Sequence, residues 1–266
     1  VDYFYFTDNP GAVKNNPNLK PERTIDYEVG FQQRLTETSK LKVSAYYKEI
    51  RNWIQVRTFF PVPIITQYTT YDNLDFGTVK GFSFEYELRR TGNATLNANY
   101  TLQFADGTGS DANSQRGLTS RGNLRTLFPL NYDERHRLNF NFDYRFFKDQ
   151  SNIPKFLADA GLNLQAIGVS GRPYTARRTP LELGGTQTIG SINGARKPWT
   201  FTLNARIDKT INFAKGGGLN IYCRVSNLLN RRNVLNVYPA TGSATDDGFL
   251  ASANGQDKLR NIQNSV

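Results

Sequence analysis

Residues 94–104, Ala-Thr-Leu-Asn-Ala-Asn-Tyr-Thr-Leu-Gln-Phe, alternate strictly between apolar and polar side chains. Neighbouring residues of a β-strand point to opposite faces, so a period of two places these side chains on two separate faces. A helix, which has a period of 3.6 residues, would mix them. The stretch therefore predicts a β-strand with one apolar face and one polar face. The apolar series is Ala94, Leu96, Ala98, Tyr100, Leu102 and Phe104.

The same alternation recurs along the chain, always with charged or amide groups on the second face. Residues 41–57 and 156–170 alternate less strictly, and we predict strands there too. With a further strand at 1–6, the chain would have about nine strands. The other strictly alternating apolar series run from Ile25 to Phe31, Phe82 to Leu88, Leu138 to Phe146, Trp199 to Ile207 and Leu219 to Val225.

The length of these strands favours a membrane barrel over a soluble sandwich. Strands of globular proteins average about 5 to 6 residues, whereas these run about 11 to 18. At about 3.3 Å per residue, a strand of this length can span a bilayer while tilted. The mean hydropathy of −0.56 does not argue against a membrane, because only alternate residues of such a strand face lipid.

The connections between the predicted strands alternate between short and long. Outer-membrane barrels have tight periplasmic turns and long external loops, whereas compact soluble domains rarely have several long loops. We therefore expect an all-β fold, a transmembrane antiparallel β-barrel. Because nine is odd and bacterial single-chain barrels have even strand numbers, we expect part of a larger barrel. The short connections lie near 35–40, 90–93, 147–155 and 213–218, and the long ones near 58–76, 105–134, 171–198 and 239–266.

Composition limits the other function classes. The net charge is +10, from 33 Lys and Arg against 23 Asp and Glu. These basic residues are spread over polar strand positions and loops, which argues against a nucleic-acid interface. One cysteine excludes an internal disulfide framework and a multi-cysteine metal site. We expect no metal, no cofactor and no nucleic-acid partner.

Catalytic candidates are few. His136 and Cys223 would have to meet in space to form a nucleophilic pair, but the alternation places Cys223 on the lipid face and His136 at a strand mouth. Glu85 and Glu87 share a face, as paired carboxylates of glycosidases do. In a barrel wall, such residues more commonly pair with charges on neighbouring strands. We expect structural roles and no enzyme.

The long connections carry the candidate ligand-binding residues. Aromatic and basic side chains occur together there and suit an anionic or sugar-bearing ligand. They suit lipopolysaccharide phosphates or simple loop packing equally well. Acidic stretches at 106–111 and 246–248 lack the full ligand series of a calcium loop. The predicted ligand contacts are Arg121, Arg125, Tyr174, Arg177 and Arg178, with Phe128 and Tyr132 near the first two.

Five stretches resemble TonB-dependent outer-membrane receptors. Residues 16–22, Asn-Pro-Asn-Leu-Lys-Pro-Glu, and 27–30, Tyr-Glu-Val-Gly, are similar to the family's N-P-x-L-K-P-E and Y-E-x-G patterns. Residues 225–230, Val-Ser-Asn-Leu-Leu-Asn, resemble its V-x-N-L-F-N pattern, and 132–138 its D-x-R-H strand start. Residues 193–199 resemble receptors of the Bacteroidota, including those with a carboxypeptidase-like regulatory domain.

The resemblance covers nearly the whole chain and implies a barrel of about 22 strands, filled by an N-terminal plug and energised through TonB. Residues 1–266 would then form the C-terminal part of the barrel domain, with the plug and the terminal strand outside this chain. Implied partners are that plug, TonB, outer-membrane lipid and lipopolysaccharide, and a surface lipoprotein is a further candidate.

Two functions follow as hypotheses. The first is a receptor of the bacterial outer membrane that binds a nutrient at its external loops and imports it through a plugged barrel. The alternative is a non-transporting outer-membrane barrel that serves structure, adhesion or partner binding. The sequence leaves the substrate open among siderophore, vitamin, glycan and peptide.

Overall fold

The chain forms one long antiparallel sheet in a computed structural model, which describes residues 13–59, 68–116, 122–148, 153–213 and 216–263. The strands are β1 (Arg23–Arg34), β2 (Ser39–Phe59), β3 (Tyr68–Thr91), β4 (Ala94–Gly107), β5 (Phe128–Pro129), β6 (His136–Arg145), β7 (Ala160–Val169), β8 (Pro173–Tyr174), β9 (Ala195–Arg196), β10 (Thr200–Asn212) and β11 (Gly218–Val225). Their order in the sheet is β1-β2-β3-β4-β6-β7-β10-β11, and β5 pairs with β4. β8 and β9 form a separate two-stranded sheet.

The predicted strands are confirmed where the structure describes them, and the predicted strand at 1–6 lies outside the described residues. The predicted connection 58–76 is wrong, because β2 continues to Phe59 and β3 begins at Tyr68. Cross-strand contacts stabilise this extension: the Phe59 and Tyr68 rings stack with centroids 5.4 Å apart, and the Thr58 and Thr69 hydroxyls lie 3.0 Å apart. Likewise, the predicted connection 105–134 begins with strand residues, because β4 reaches Gly107.

Helical structure was not predicted, yet the connection after β11 contains one α-helix, α1 (Ala253–Gln263), and the one after β8 a 3-10 helix (Leu181–Leu183). Ser252 caps α1, since its Oγ accepts the backbone N–H of Gly255 at 3.1 Å. Within the described part of the chain, no helix is long and apolar enough to cross a membrane.

The strand register joins the separate apolar series into one continuous outer face. Side chains at paired positions point to the same face of a sheet. Large apolar groups on this face are exposed, for example Val29 at 73% and Ile207 at 60%. In water each would forgo roughly 1.5–3 kcal/mol of burial, so the face requires an apolar surrounding. One row of partners runs through Phe31, Val43, Phe84, Tyr100, Leu138, Gly168 and Phe201.

Aromatic side chains border this outer face at both ends. At the end with short turns, the Tyr144 and Phe146 ring centroids lie 5.0 Å apart. At the other end, the His136 ring stacks on Tyr100 and Trp199 with centroids 6.2 and 5.3 Å away. From His136 to Tyr144, β6 covers about 26 Å at about 3.3 Å per residue. An apolar band of this height between aromatic girdles is typical of membrane barrels.

The opposite, inner face is polar, and a glycine lets two of its side chains pair across an intervening strand. Gly161 lies in register between Arg145 and Asp208. The Arg145 guanidinium donates from Nη1 and Nη2 to the two Asp208 carboxylate oxygens at 2.7 and 3.2 Å. A Cβ at Gly161 would lie 2.8 Å from the guanidinium carbon, so this pair needs a glycine there.

Candidate functional site

The predicted ligand-binding loops form a folded layer beyond the loop-side end of the apolar band. We call this region the external layer. It consists of residues 53–59 of β2, residues 68–76 of β3, the described parts 108–116 and 122–135 of the connection after β4, and the connection 170–199. Two clusters of buried polar groups hold these parts together.

The first cluster joins β2 and β3 to the connection after β4. The Gln55 side chain is fully buried, and its Nε2 donates to Asp75 Oδ2 at 2.8 Å and to Ser114 Oγ at 2.9 Å. The Thr108 hydroxyl donates to the other Asp75 oxygen at 2.9 Å. Buried polar groups require such partners, so Gln55 and Asp75 fix the position of the connection.

Gln115 extends this cluster into the same connection. Its Oε1 accepts the backbone N–H of Leu124 at 2.7 Å, and its Nε2 donates to the Leu124 carbonyl at 3.3 Å. Nearby, Asn123 Nδ2 donates to the Val56 carbonyl at 2.8 Å. The side-chain amides thus add to the backbone hydrogen bonds of this connection, such as the one from the Val56 N–H to the Ala112 carbonyl at 2.9 Å.

Asp75 is the one carboxylate in this cluster. Burial raises the pKa of Asp75, and the hydrogen bonds from Gln55 and Thr108 and the positive charge of Arg125 oppose that rise. Arg125, a predicted ligand contact, therefore also stabilises the ionised form of Asp75. The stability of the external layer should depend on pH as a result.

The second cluster joins the two long connections. Asp133 is fully buried, and its carboxylate accepts a hydrogen bond from Arg196 Nη2, while its backbone carbonyl accepts one from Arg196 Nη1 at 3.0 Å. The second carboxylate oxygen accepts the backbone N–H of Ala105 at 3.0 Å. Asp133 and Arg196 come from two of the stretches that carry the family resemblance.

The predicted ligand contacts separate into two kinds. Arg177 is half-buried and packs its own loop, because its Nη1 donates to the Gly185 carbonyl at 2.7 Å. Tyr174 lies in β8, opposite Ala195 of β9. Arg125 and Arg178 are exposed on the external layer. The fifth, Arg121, lies outside the described residues.

The contacts that bring the two long connections together involve other residues. Asn193 Nδ2 donates to the Pro129 carbonyl at 2.7 Å, in addition to the pair between Arg196 and Asp133. Sequence reasoning missed Gln55, Asp75 and the role of Asn193, because isolated polar residues carry no periodic signal. Asp133 could be noticed in the sequence only because it lies in residues 132–138, one of the stretches that resemble the receptor family.

Residues 1–228 match the sequence model of a protein family that is described as "TonB dependent receptor-like, beta-barrel". The chain belongs to this family of TonB-dependent receptors. Its sheet is part of the wall of a β-barrel of the bacterial outer membrane, as predicted. The family consists of receptors and not of enzymes, which agrees with the expectation that this chain is no enzyme. No curated protein sequence matches the chain.

Several solved structures have the same fold, and three of them illustrate the similarity. The outer membrane transporter YddB of Escherichia coli has a TM-score of 0.57 at 13% identity over 84% of this chain and 31% of its own. The ferric-catecholate import receptor Fiu of E. coli K12 has a TM-score of 0.55 at 15% identity, over 87% of this chain and 27% of its own. FpvA of P. aeruginosa, bound to pyoverdine and iron, has a TM-score of 0.54 at 12% identity, over 80% of this chain and 24% of its own. The chain thus spans about a quarter to a third of these proteins.

The first motif of this receptor barrel supports the external layer. Glu22 accepts the backbone N–H of Ile54 at 3.2 Å, at the place where the register between β2 and β3 shifts. Asn16 Nδ2 donates to the Tyr71 carbonyl at 3.0 Å. The Asn-Pro-Asn-Leu-Lys-Pro-Glu stretch therefore packs against the loop-side extension of the longest hairpin.

The last motif of the receptor barrel ends a strand. Asn227 has a φ of 53°, which turns the chain just after β11. Asn233 then binds the exposed edge of β10, since its side-chain oxygen accepts the Phe201 N–H at 2.9 Å and its Nδ2 donates to the Phe201 carbonyl at 3.0 Å. One side-chain amide thus continues the ladder where β11 has ended.

The inner wall of the receptor barrel is rich in side-chain amides. They border a concavity of about 350 Å³ together with Glu85. Asn163 Nδ2 donates to Asn141 Oδ1 at 3.0 Å. The amides offer many donors and acceptors without net charge. The amide residues at this concavity are Asn97, Asn99, Asn139, Asn141 and Gln165.

The geometry does not assemble the catalytic candidates. Glu87 forms an ion pair with Lys40 at 2.6 Å. Through the strand register, Cys223 lies in the same row of the sheet as Tyr144 of β6. Tyr144 is about 26 Å along β6 from His136, at about 3.3 Å per residue, so His136 and Cys223 do not meet. The described residues contain no group of three or more His, Cys, Asp or Glu side chains suited to a metal ion.

Proposed function

We propose that this chain is part of an importer that binds a nutrient at its external layer and passes it along the inner wall of a plugged barrel. The single observation that carries this proposal is the combination of one sheet with a lipid-compatible outer face and an inner wall of amides and paired charges. A non-transporting barrel would have the same two faces, and import is favoured over it because the structurally similar proteins include an outer membrane transporter and an import receptor.

The proposed ligand contacts are the exposed Arg125 and Arg178, together with Arg121, which precedes Arg125 in the same connection. Guanidinium groups bind anions through charge-assisted, often bidentate hydrogen bonds. Tyr174 and Arg177 contribute by holding the second connection in shape. Anionic ferric chelates are the ligand class to test first. The guanidinium groups suit an anionic ligand, and the structurally similar Fiu is an import receptor for ferric catecholates.

Transport should be energised in the whole protein by its plug and TonB. The test is uptake in a strain that lacks the gene, with labelled ferric siderophores, vitamins, oligosaccharides and peptides offered separately. We expect uptake of one class to be lost, to return with the wild-type gene, and to stop when TonB is removed. Unchanged uptake of every class would overturn import and favour the alternative, a non-transporting barrel for adhesion or partner binding.

The ligand contacts can be tested in the same strain. Arg178→Ala should weaken binding of the transported ligand and leave the fold unchanged, because Arg178 is exposed. Arg177→Ala should also loosen the connection 170–199, since it removes the hydrogen bond to Gly185. Protease sensitivity of that connection separates the two effects. Full uptake by Arg178→Ala would exclude Arg178 as a contact, and full uptake by Arg177→Ala would show that the shape of this connection does not matter for binding.

A further inference from the structure

Lys80 is a cationic exception on the apolar outer face of the sheet. It lies in register between Tyr47 of β2 and Phe104 of β4, whose aromatic rings are on the same outer face. Its side chain is exposed, and among the described residues no group forms a hydrogen bond or ion pair with its ammonium. A lysine that faces lipid needs either water or an anion for its charge.

An apolar groove lies beside Lys80 on the same face. It has a volume of about 510 Å³ and crosses β1 to β4. Ala45 has a short side chain between the bulkier Val29 and Phe82 of its row, which leaves room for another apolar group. The main lining residues are Tyr27, Val29, Ala45, Tyr47, Phe82 and Phe104.

The position of Lys80 fits the outer leaflet. Lys80 is the next outward-facing residue of β3 after Phe82 in the direction of the external layer. Its ammonium therefore lies at the loop-side border of the apolar band, where lipid headgroups begin. Glu49 is in the next row toward the loops, and Arg51 Nε already donates to it at 2.9 Å. Arg51 is thus engaged by Glu49, whereas the Lys80 ammonium, among the described residues, has no such partner and is available to an anion from the membrane.

We propose that Lys80 and this groove bind one phosphate-bearing lipid of the outer leaflet, with an acyl chain in the groove and a phosphate on the Lys80 ammonium. The apolar lining suits a hydrocarbon chain. Phosphate is the anion that a membrane supplies at this depth, and a lysine near the membrane surface attracts it. The proposal does not depend on import, because the site faces the membrane and not the lumen.

Lys209 provides a matched control, because it is a second lysine on the outer face, in register with Ile221 of β11. Its ammonium donates to the Phe156 carbonyl near the end with short turns. Lys209 thus already has a protein partner, whereas Lys80 has none among the described residues.

The test is native mass spectrometry of the full-length receptor with a phosphorylated glycolipid and with the same glycolipid after its phosphates are removed. Wild-type protein and Lys209→Gln should retain the phosphorylated form about fivefold more strongly, the effect expected of one lysine at a membrane surface. Lys80→Gln should lose this preference, and Lys80→Arg should keep it. An unchanged preference in Lys80→Gln would overturn the proposal.

A second variant tests the groove separately. Ala45→Phe fills the space beside Phe82 with an apolar group, so the barrel should still fold, as heat-modifiable migration on a gel will show. We expect this variant to retain less of both glycolipids while the ratio between them stays above one. Equal retention of both lipids by Ala45→Phe and wild type would overturn the assignment of the acyl chain to the groove.

Discussion

At the scale of single residues, buried polar side chains determine how the external layer is held. Gln55, Asp75 and Asp133 are almost fully enclosed, and each has several hydrogen-bond partners. Leaving one buried partner unsatisfied costs roughly 1–3 kcal/mol. Substitutions in these clusters should therefore affect the loops more than exposed substitutions do.

Asp75 should make the external layer sensitive to pH. Its pKa is raised by burial, so the folded layer binds the proton more tightly than the unfolded loop does. The stabilisation is complete below the ordinary Asp pKa of about 3.9 and is lost as the pH rises through the raised value. Hydrogen exchange of the connection 108–135 should increase across this window, and Asp75→Asn should remove the dependence.

Asp106→Asn is the control for that experiment, because Asp106 lies in the same region but takes no part in the Gln55 cluster. It should keep the pH dependence of the wild type. The same exchange profile in wild type and Asp75→Asn would contradict the role of Asp75.

The pair between Asp133 and Arg196 should carry more stability than its exposed neighbours. Removing one partner of a buried pair costs about 3–5 kcal/mol, and we expect the low end for Arg196→Ala because its side chain is 25% exposed. Arg172→Ala, which removes a more exposed contact to Glu134, should cost about 0–1 kcal/mol. Urea unfolding of the lipid-inserted receptor measures both, and equal losses would refute the distinction.

At the scale of the strands, the inner face depends on where side chains are absent. Gly161 of β7 leaves space for Arg145 of β6 to reach Asp208 of β10, so three strands share one charge pair. The outer face instead has Gly168, where a Cβ would meet nothing nearer than 3.5 Å. Of these two glycines in β7, Gly161 is required by the charge pair that crosses it, whereas Gly168 has room for a larger side chain.

Gly161→Ala should destabilise the sheet by about 1–3 kcal/mol, because it displaces the guanidinium and leaves buried Asp208 with fewer partners. Gly168→Ala should have little effect. The free energy of unfolding in lipid vesicles measures both changes. A result in which Gly168→Ala is the more damaging of the two would show that the pair across Gly161 contributes little.

At the scale of the whole molecule, the two faces of the sheet meet different surroundings. Phe140 and Asn141 are adjacent in β6, and their partners Ala98 and Asn97 place them on the outer and inner faces. Phe140→Lys should cost about 2–4 kcal/mol of folding stability in a bilayer, whereas Asn141→Lys should cost much less. Urea titration in vesicles compares them, and similar costs would mean that the outer face does not meet lipid.

The strands could be predicted from sequence because alternation is local and repeats along the chain. The bounds were less accurate at the loop side, where Arg57 and Asp72 pair at 3.0 Å and extend the hairpin beyond the apolar band. There the strands are stabilised by specific polar pairs, which leave no periodic pattern.

The alternation of residues 94–104 and its repeats determined by themselves that the chain forms an amphipathic sheet with one lipid-facing side, because a period of two needs no knowledge of distant residues. Only the tertiary structure decided that Gln55 meets Ser114, that Asp133 meets Arg196, and that Lys80 borders a groove. These contacts join positions far apart in the chain, and the register and the loop packing that bring them together depend on the whole sheet.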